Sequence, residues 1–344
     1  MSSDGYHKTH IGKHALHPAT QMMSYGYDPT MSEGSVKPPV FLTSTFVFPS
    51  AEDGAAHFDL VAGRRKPAAG EVGGLIYSRF NHPNLEIVED RLALLDGSDD
   101  AAVTSSGMSA IATTFMSLLK PGDVVVQSAP LYGGTETLLS GLLQDWGITT
   151  VQLPVPLNHE ACVAVLQTAK KSGRVAMIYL ETPANPTNDM IDFAVMNDAL
   201  NAAFDDTDER PITVCDNTLL GPLYQQPVRL GIDLCVYSLT KYVGGHSDLV
   251  AGAITGRQPL IDRLRRTRSG MGTQLDPHTS WMIARSMETL SLRMERAAQR
   301  ASVVAAWLKH NPYLKCRVLH PEHDLDDPPK AIYARQCQGL GSTF

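Results

Sequence analysis

The chain has 344 residues and a formal net charge of -7, with hydrophobic residues at 43% and charged residues at 19%. That is the balance of a soluble globular protein, long enough for two domains and for a sizeable buried core. An acidic chain with no long basic run is not expected to bind nucleic acid, and no apolar run reaches the ~18 residues that a membrane span needs. Five cysteines (Cys162, Cys215, Cys235, Cys316 and Cys337) lack CxxC spacing, so neither a metal knuckle nor a dithiol redox site is expected. Scattered cysteines suit a reducing compartment, and the polar start MSSDGYHKTHIGKH lacks the apolar core of a secretory signal, so a cytoplasmic location is expected.

Residues 1–80 read as irregular, punctuated by Pro39, Pro49 and Pro67, with Gly63, Gly70, Gly73 and Gly74 around a loop. Such a stretch makes no compact core of its own and is expected to be an arm lying on something else, such as a partner subunit. From about residue 85 the texture changes. LEIVEDRLALL has apolar residues at helical spacing, AAVT (101–104) reads as a short strand, and MSAIATTFMSLL as a helix. DVVVQS (123–128) is a strand and TLLSGLLQDW a helix; VAMIYLE (175–181), PITVCDN (211–217) and LCVYSL (234–239) are further buried strands, with the helical DFAVMNDALNAAF between the first two. This alternation predicts an α/β fold over residues 81–290, a mostly parallel central sheet with helices on both faces. The segment 276–310 reads as a long helical region broken once, leading into an α+β C-terminal domain of which residues 291–344 are the start.

In sheets of this kind ligands sit beyond the carboxyl ends of the strands. After AAVT come Ser105, Ser106, Gly107 and Met108 and then a helix, which is either a phosphate site at a helix start or an ordinary serine cap. After ITVC comes Asp216, an acid at the end of a buried strand; it is the partner of a positive group such as a protonated pyridine nitrogen, or a turn aspartate. After LCVY come Ser238, Leu239, Thr240, Lys241, Tyr242, Val243, Gly244 and Gly245. Two hydroxyls one residue apart can face a phosphate, and a lysine opening a glycine-rich loop can reach a carbonyl, although a lone lysine is ordinarily a solvated surface residue.

The order of these pieces, with Lys241 twenty-five residues after Asp216, resembles the pyridoxal-phosphate enzymes of aspartate-aminotransferase fold, known as fold type I. SLTKYVGGHSDLVAGA resembles the cofactor-lysine signature of the Cys/Met-metabolism family, which includes cystathionine γ-synthase, cystathionine γ-lyase and methionine γ-lyase. YSRFNHPN (77–84), SSGMSAI (105–111), LYGGT (131–135), ETPANPT (181–187), CDNTLLGP (215–222) and METLSLRME (287–295) add matches in register. The resemblance implies pyridoxal 5'-phosphate bound covalently to Lys241, which later moves protons. It implies Asp216 on the ring nitrogen, Tyr132 stacked on the ring face, and Asn185 on the ring hydroxyl. It assigns Gly107, Met108, Ser238 and Thr240 to the phosphate, and sends Tyr77 and Arg79 into the neighbouring subunit's site. A homodimer with shared sites, and a tetramer of two such dimers, follows by the same resemblance, as does an amino-acid substrate.

Three departures qualify the match. Asn81-His82-Pro83-Asn84 stands where the family usually has Asn-Pro-Thr, expected to be a local variation at a helix start; residues 62–74 look like an insertion; and Gly134 occupies the place where methionine γ-lyases carry a cysteine. The family also continues beyond a point like Phe344 and there supplies the arginine for the substrate α-carboxylate, so the chain looks truncated. The expected activity is γ-replacement on a homoserine ester, as in cystathionine γ-synthase. The alternatives are γ-elimination by a methionine or cystathionine γ-lyase, and a truncated, catalytically silent relative.

Overall fold

The computed structural model describes residues 6–61, 64–66, 68, 74–205, 209–323 and 328–344. Its centre is a seven-stranded sheet built from β1 (Asp100–Thr104), β2 (Val124–Gln127), β3 (Thr149–Gln152), β4 (Val175–Glu181), β5 (Ile212–Asp216), β6 (Leu234–Tyr237) and β7 (Gly252–Gly256), in the order β1-β7-β6-β5-β4-β2-β3. β7 pairs antiparallel with both neighbours, and all the other pairs are parallel. Among the described residues the helices of six residues or more are α1 (Ala51–Val61), α2 (Pro83–Asp96), α3 (Gly107–Leu118), α4 (Gly133–Leu138), α5 (His159–Lys170), α6 (Phe193–Ala203), α7 (Gln258–Met271), α8 (Pro277–Met287), α9 (Leu290–His310) and α10 (Pro328–Gln336).

The apolar strands are sandwiched because successive side chains point to opposite faces. Val125, Met177, Tyr179 and Val214 pack with Ile111 and Phe115 of α3 and with Ile261 and Leu264 of α7. Val124, Val126, Ile178, Leu180 and Cys215 pack on the other face with Cys162 and Leu166 of α5 and Met196 and Leu200 of α6. Every residue of β4 is buried, which is why VAMIYLE is continuously apolar up to its terminal glutamate.

The predicted strands and helices are present, and four further sheet-layer elements accompany them. β3 escapes the sequence pattern because TTVQ is a largely exposed edge strand. β7 escapes because GAITG is framed by glycines; α5 follows β3 and leads to β4, and α7 follows β7 and leads to α8. Within residues 1–80 the expected irregularity holds in part, but a small hairpin of His10–Ile11 with His14–Ala15, a short helix at Pro18–Gln21 and α1 interrupt it. Ser50 starts this helix: its Oγ accepts the Asp53 N–H at 3.0 Å and donates to the Asp53 carboxylate at 2.7 Å, a reciprocal cap. The segment 276–310 is two helices, with Glu288 and Thr289 at the break. Of the expected insertion at 62–74, only residues 64–66, 68 and 74 lie among the described residues.

The unusual His82-Pro83 is the start of α2. The His82 Nδ1 accepts the Leu85 N–H at 3.2 Å, its Nε2 meets the Leu275 carbonyl at 2.9 Å, and Pro83 occupies the first turn. Histidine thus caps the helix and ties it to the segment entering α8.

Behind β1 lies a buried ion pair. Arg268 and Glu89 are each 1% exposed, and between them they satisfy the Val103 backbone: Glu89 accepts its N–H at 2.9 Å, while Arg268 donates to its carbonyl at 2.8 Å and to the Phe80 carbonyl at 3.1 Å. Arg265 also reaches Glu89, at 2.8 Å, so removing Arg268 leaves the acid with one cation in place of two and leaves the Val103 and Phe80 carbonyls without their donor. Arg268→Ala is therefore expected to lose about 3–5 kcal/mol of unfolding free energy in denaturant titration.

Candidate active site

β1, β2, β4, β5 and β6 all run the same way, and their carboxyl ends border a cavity of about 250 Å³. Gly107, Met108, Tyr132, Asn185, Asp216, Ser238, Thr240 and Lys241 line it, so the structure gathers eight of the ten residues singled out from the sequence. The other two, Tyr77 and Arg79, do not line this chain's own cavity.

β1 leads directly into α3. Ser106 caps that helix by accepting the Ser109 N–H at 3.0 Å, and Gly107 and Met108 form its opening turn, whose N–H groups have no partner within a helix. Gly107 must be glycine here: a Cβ would lie 2.8 Å from the Ser238 Cβ and 3.0 Å from its Oγ. The helix start and the loop after β6 therefore close on one another as two sides of a small anion cradle.

Asp216 ends β5 and is 8% exposed. Thr218 supplies its Oδ1 with two hydrogen bonds, from Oγ1 at 2.6 Å and from N–H at 3.1 Å, and the same hydroxyl accepts the Ser238 N–H at 2.9 Å. Burial pushes the Asp216 carboxyl above its ordinary range, while the Thr218 bonds pull the other way. Thr218 thereby joins the acid to the start of the lysine loop. That loop is closed at its neck: the Thr240 N–H and Oγ1 donate to the Ala251 carbonyl at 3.3 and 3.2 Å, and the Ala251 N–H returns to Oγ1 at 3.0 Å. Lys241 stands just inside the neck, its N–H on the Ser238 carbonyl at 3.1 Å.

The sequence reading missed Glu181, which ends β4 directly opposite Asp216. Its carboxylate, in a residue 5% exposed, accepts the Tyr132 N–H at 2.6 Å on Oε2 and the Asn185 N–H at 3.0 Å on Oε1. Burial, then the nearby Asp216 charge, pushes this carboxyl up to about 7. The signal that picked out Asp216, an acid at the end of a buried strand, is equally present at Glu181. Tyr132 is held by this bond at the start of α4; it lines the cavity and is 46% exposed. Gly134 fits beneath that ring; a Cβ there would lie 2.7 Å from the Tyr132 Cε1 and 2.8 Å from the Met108 Sδ.

Tyr77 and Arg79 lie on the strand-like end of the N-terminal segment, where Tyr77 bridges to Thr45 and the Arg79 Nη1 donates to the Ser269 carbonyl at 2.6 Å. The Arg79 guanidinium also stacks 4.6 Å from the Phe80 ring centroid.

Pyridoxal phosphate suits this set of groups. A helix start closed against two hydroxyl residues fits a dianionic phosphate, a buried acid fits a cationic ring nitrogen, and a lysine stands at the same cavity. The Thr240 hydroxyl would turn its proton away from Ala251 to serve a phosphate oxygen. Fold and constellation together define a pyridoxal-phosphate enzyme of fold type I. Its sheet and helices superpose on cystathionine γ-synthase from Xanthomonas oryzae pv. oryzae in complex with aminoacrylate and cysteine with a TM-score of 0.81 at 26% identity, over 95% of this chain and 76% of that one. The chain belongs to the Cys/Met metabolism PLP-dependent enzyme family, whose profile matches residues 19–344. It is 37% identical to L-methionine gamma-lyase of Pseudomonas deceptionensis over 296 residues, 86% of this chain and 69% of the relative. It is 34% identical to cystathionine gamma-synthase of Mycobacterium tuberculosis over 325 residues, 94% of this chain and 76% of the relative. Among the described residues no helix is long and apolar enough to cross a membrane.

The raised Glu181 carboxyl has a thermodynamic consequence in cofactor-free protein. Unfolded, the group ionises near the ordinary 4.5 of a glutamate; folded, at about 7, so the native state holds the proton more tightly. The resulting stabilisation is complete below about 4.5 and is lost as pH rises through about 7, on the order of 3 kcal/mol in all. Melting of wild type against Glu181→Gln, which cannot ionise, isolates this contribution: the wild-type advantage is expected to shrink between pH 4.5 and pH 7, and a pH-independent difference would show that Glu181 titrates normally.

Proposed function

We propose that the chain carries out γ-replacement, exchanging the leaving group on the γ-carbon of an activated homoserine ester for a thiol, as a cystathionine γ-synthase does. Bound in the cavity, pyridoxal phosphate supplies an electron sink for negative charge developing on the substrate's α-carbon. The chain's own groups do the rest. Lys241 would hold the cofactor carbon and, once free of it, would take the protons from the substrate's α- and β-carbons, so that the γ-group can leave with its bonding electrons, and return them after the thiol has added. Asp216 keeps the ring nitrogen protonated, and Tyr132 packs against the ring. Asn185 meets the ring hydroxyl, while the α3 start with Ser238 and Thr240 fixes the phosphate. Tyr77 and Arg79 of a second copy complete the phosphate site, which makes the active unit a homodimer and is compatible with a tetramer of two.

The observation that carries replacement over methionine elimination is Gly134. A cysteine there would run into Tyr132 and Met108 as they stand, so this cavity is shaped around a residue with no side chain. The second reading, γ-elimination by a methionine or cystathionine γ-lyase, is supported by the 37% identity to L-methionine gamma-lyase against 34% to cystathionine gamma-synthase. Released 2-oxobutanoate separates the two. Replacement predicts that added thiol diverts an O-acylhomoserine substrate into a thioether and suppresses 2-oxobutanoate. Elimination predicts 2-oxobutanoate from methionine or cystathionine regardless of thiol.

Lys241→Ala is expected to abolish borohydride-fixable attachment of cofactor, read by mass spectrometry, and to remove turnover. Attachment at wild-type level would place the reactive amine elsewhere. For the shared site, mixing Arg79→Ala with Lys241→Ala subunits is expected to restore activity in heterodimers, since one of the two hybrid sites then carries both intact residues. Verified heterodimers with no recovered activity would assign Arg79 to its own subunit.

A further inference from the structure

We propose that Glu181 is a positioning residue for the cofactor, a single carboxylate that sets the Tyr132 ring over one side of the pyridine and Asn185 at its edge. This rests on the reading that the cavity holds pyridoxal phosphate.

The geometry is that of a clamp. Tyr132 follows β2 and Asn185 follows β4, and these two loops meet through the two oxygens of one side chain, at 2.6 and 3.0 Å. The clamp is itself fixed, because the Glu181 N–H donates to the Ser128 Oγ at 2.9 Å, at the end of the neighbouring strand. The preceding residue of the Tyr132 loop is held in the same manner, with the Leu131 N–H on the Glu136 carboxylate at 3.1 Å. Tyr132 and Asn185 are thus located by their backbones, independently of their own side chains.

A neutral side chain could anchor a turn at lower cost. Glu181 sits opposite Asp216 on adjacent strands, both are buried, and Glu136 adds a third acid nearby. Two desolvated like charges oppose ionisation, and burial holds the Glu181 carboxyl near 7. Only an ionised carboxylate accepts well on both oxygens at once. A cationic ring nitrogen beside Asp216 relieves the repulsion, so occupation of the cavity favours the ionised form of Glu181 and tightens both hydrogen bonds. The clamp closes with the cofactor in place.

Glutamine at 181 keeps the size but offers one acceptor, and turns an amide N–H₂ toward one of the two backbone donors. The test is a cofactor-binding titration of dialysed wild type, Glu181→Gln, Tyr132→Ala and the double variant, read by the visible absorbance and circular dichroism of bound pyridoxal phosphate, with thermal melts of the cofactor-free proteins as the folding control. The expected result is a dissociation constant raised at least tenfold in Glu181→Gln with altered visible dichroism, and a smaller effect of Glu181→Gln in the Tyr132→Ala background than in wild type, since the ring contact can be lost only once and the Asn185 placement alone remains to be disturbed. If Glu181→Gln does not fold, Glu181→Asp keeps the charge but is too short to reach both N–H groups, and the same loss of affinity and of additivity is expected. Wild-type affinity and dichroism in a folded Glu181 variant, or full additivity with Tyr132→Ala, would overturn the proposal. A wild-type protein that binds no pyridoxal phosphate would instead overturn the reading of the cavity.

Discussion

Two carboxyl groups buried side by side at the ends of adjacent strands are the constraint around which the cavity is organised. Neither Glu181 nor Asp216 can keep a charge in that position without donors directed at it. Each draws its donors from a different part of the chain: Asp216 from Thr218 just beyond its own strand, Glu181 from the loops carrying Tyr132 and Asn185. Thr218 in turn reaches the lysine loop through Ser238. The need to solvate two acids in a dry place therefore arranges an aromatic ring, an amide, two hydroxyl residues and a lysine around one point.

The sheet makes that convergence possible. Five strands ending on the same side bring residues from 104 to 241 to a single rim, and the continuous apolar character of β4 ensures that its last residue emerges at a fixed depth. The glycine at 107 matters for the same reason: it lets α3 approach the β6 loop closely enough for one small anion to touch both.

Much of this was legible in the sequence because the signals are local. Buried strands announce themselves by length and apolarity, and the residues that follow them are the ones a parallel sheet offers to ligands. What escaped was of two kinds. β3 and β7 carry no such signal, one being exposed and the other glycine-rich, so their place in the sheet is set by neighbours rather than by their own composition. Glu181 escaped for a different reason. Its role is to hold backbone N–H groups of residues about 49 and 4 positions away, and no spacing rule connects Tyr132 to Glu181 before the sheet is folded. His82 belongs with it: the substitution of histidine for the usual pattern is visible, but its double use as cap and as tether to Leu275 exists only in three dimensions.

The closed neck of the lysine loop puts Lys241 between two recesses. Thr240 and Ala251 fasten the loop where it leaves and rejoins the sheet, and the antiparallel β7 begins at once after that fastening. Residues between Gly244 and Val250 therefore lie outboard of the knot, where Ser247, Asp248 and Leu249 border a wider, open recess that shares Lys241 with the inner cavity. The Gly245 N–H donates to the Lys241 carbonyl at 2.8 Å, so the arc that borders the outer recess is tied directly to the lysine, and any change in its course is felt at the inner cavity as well.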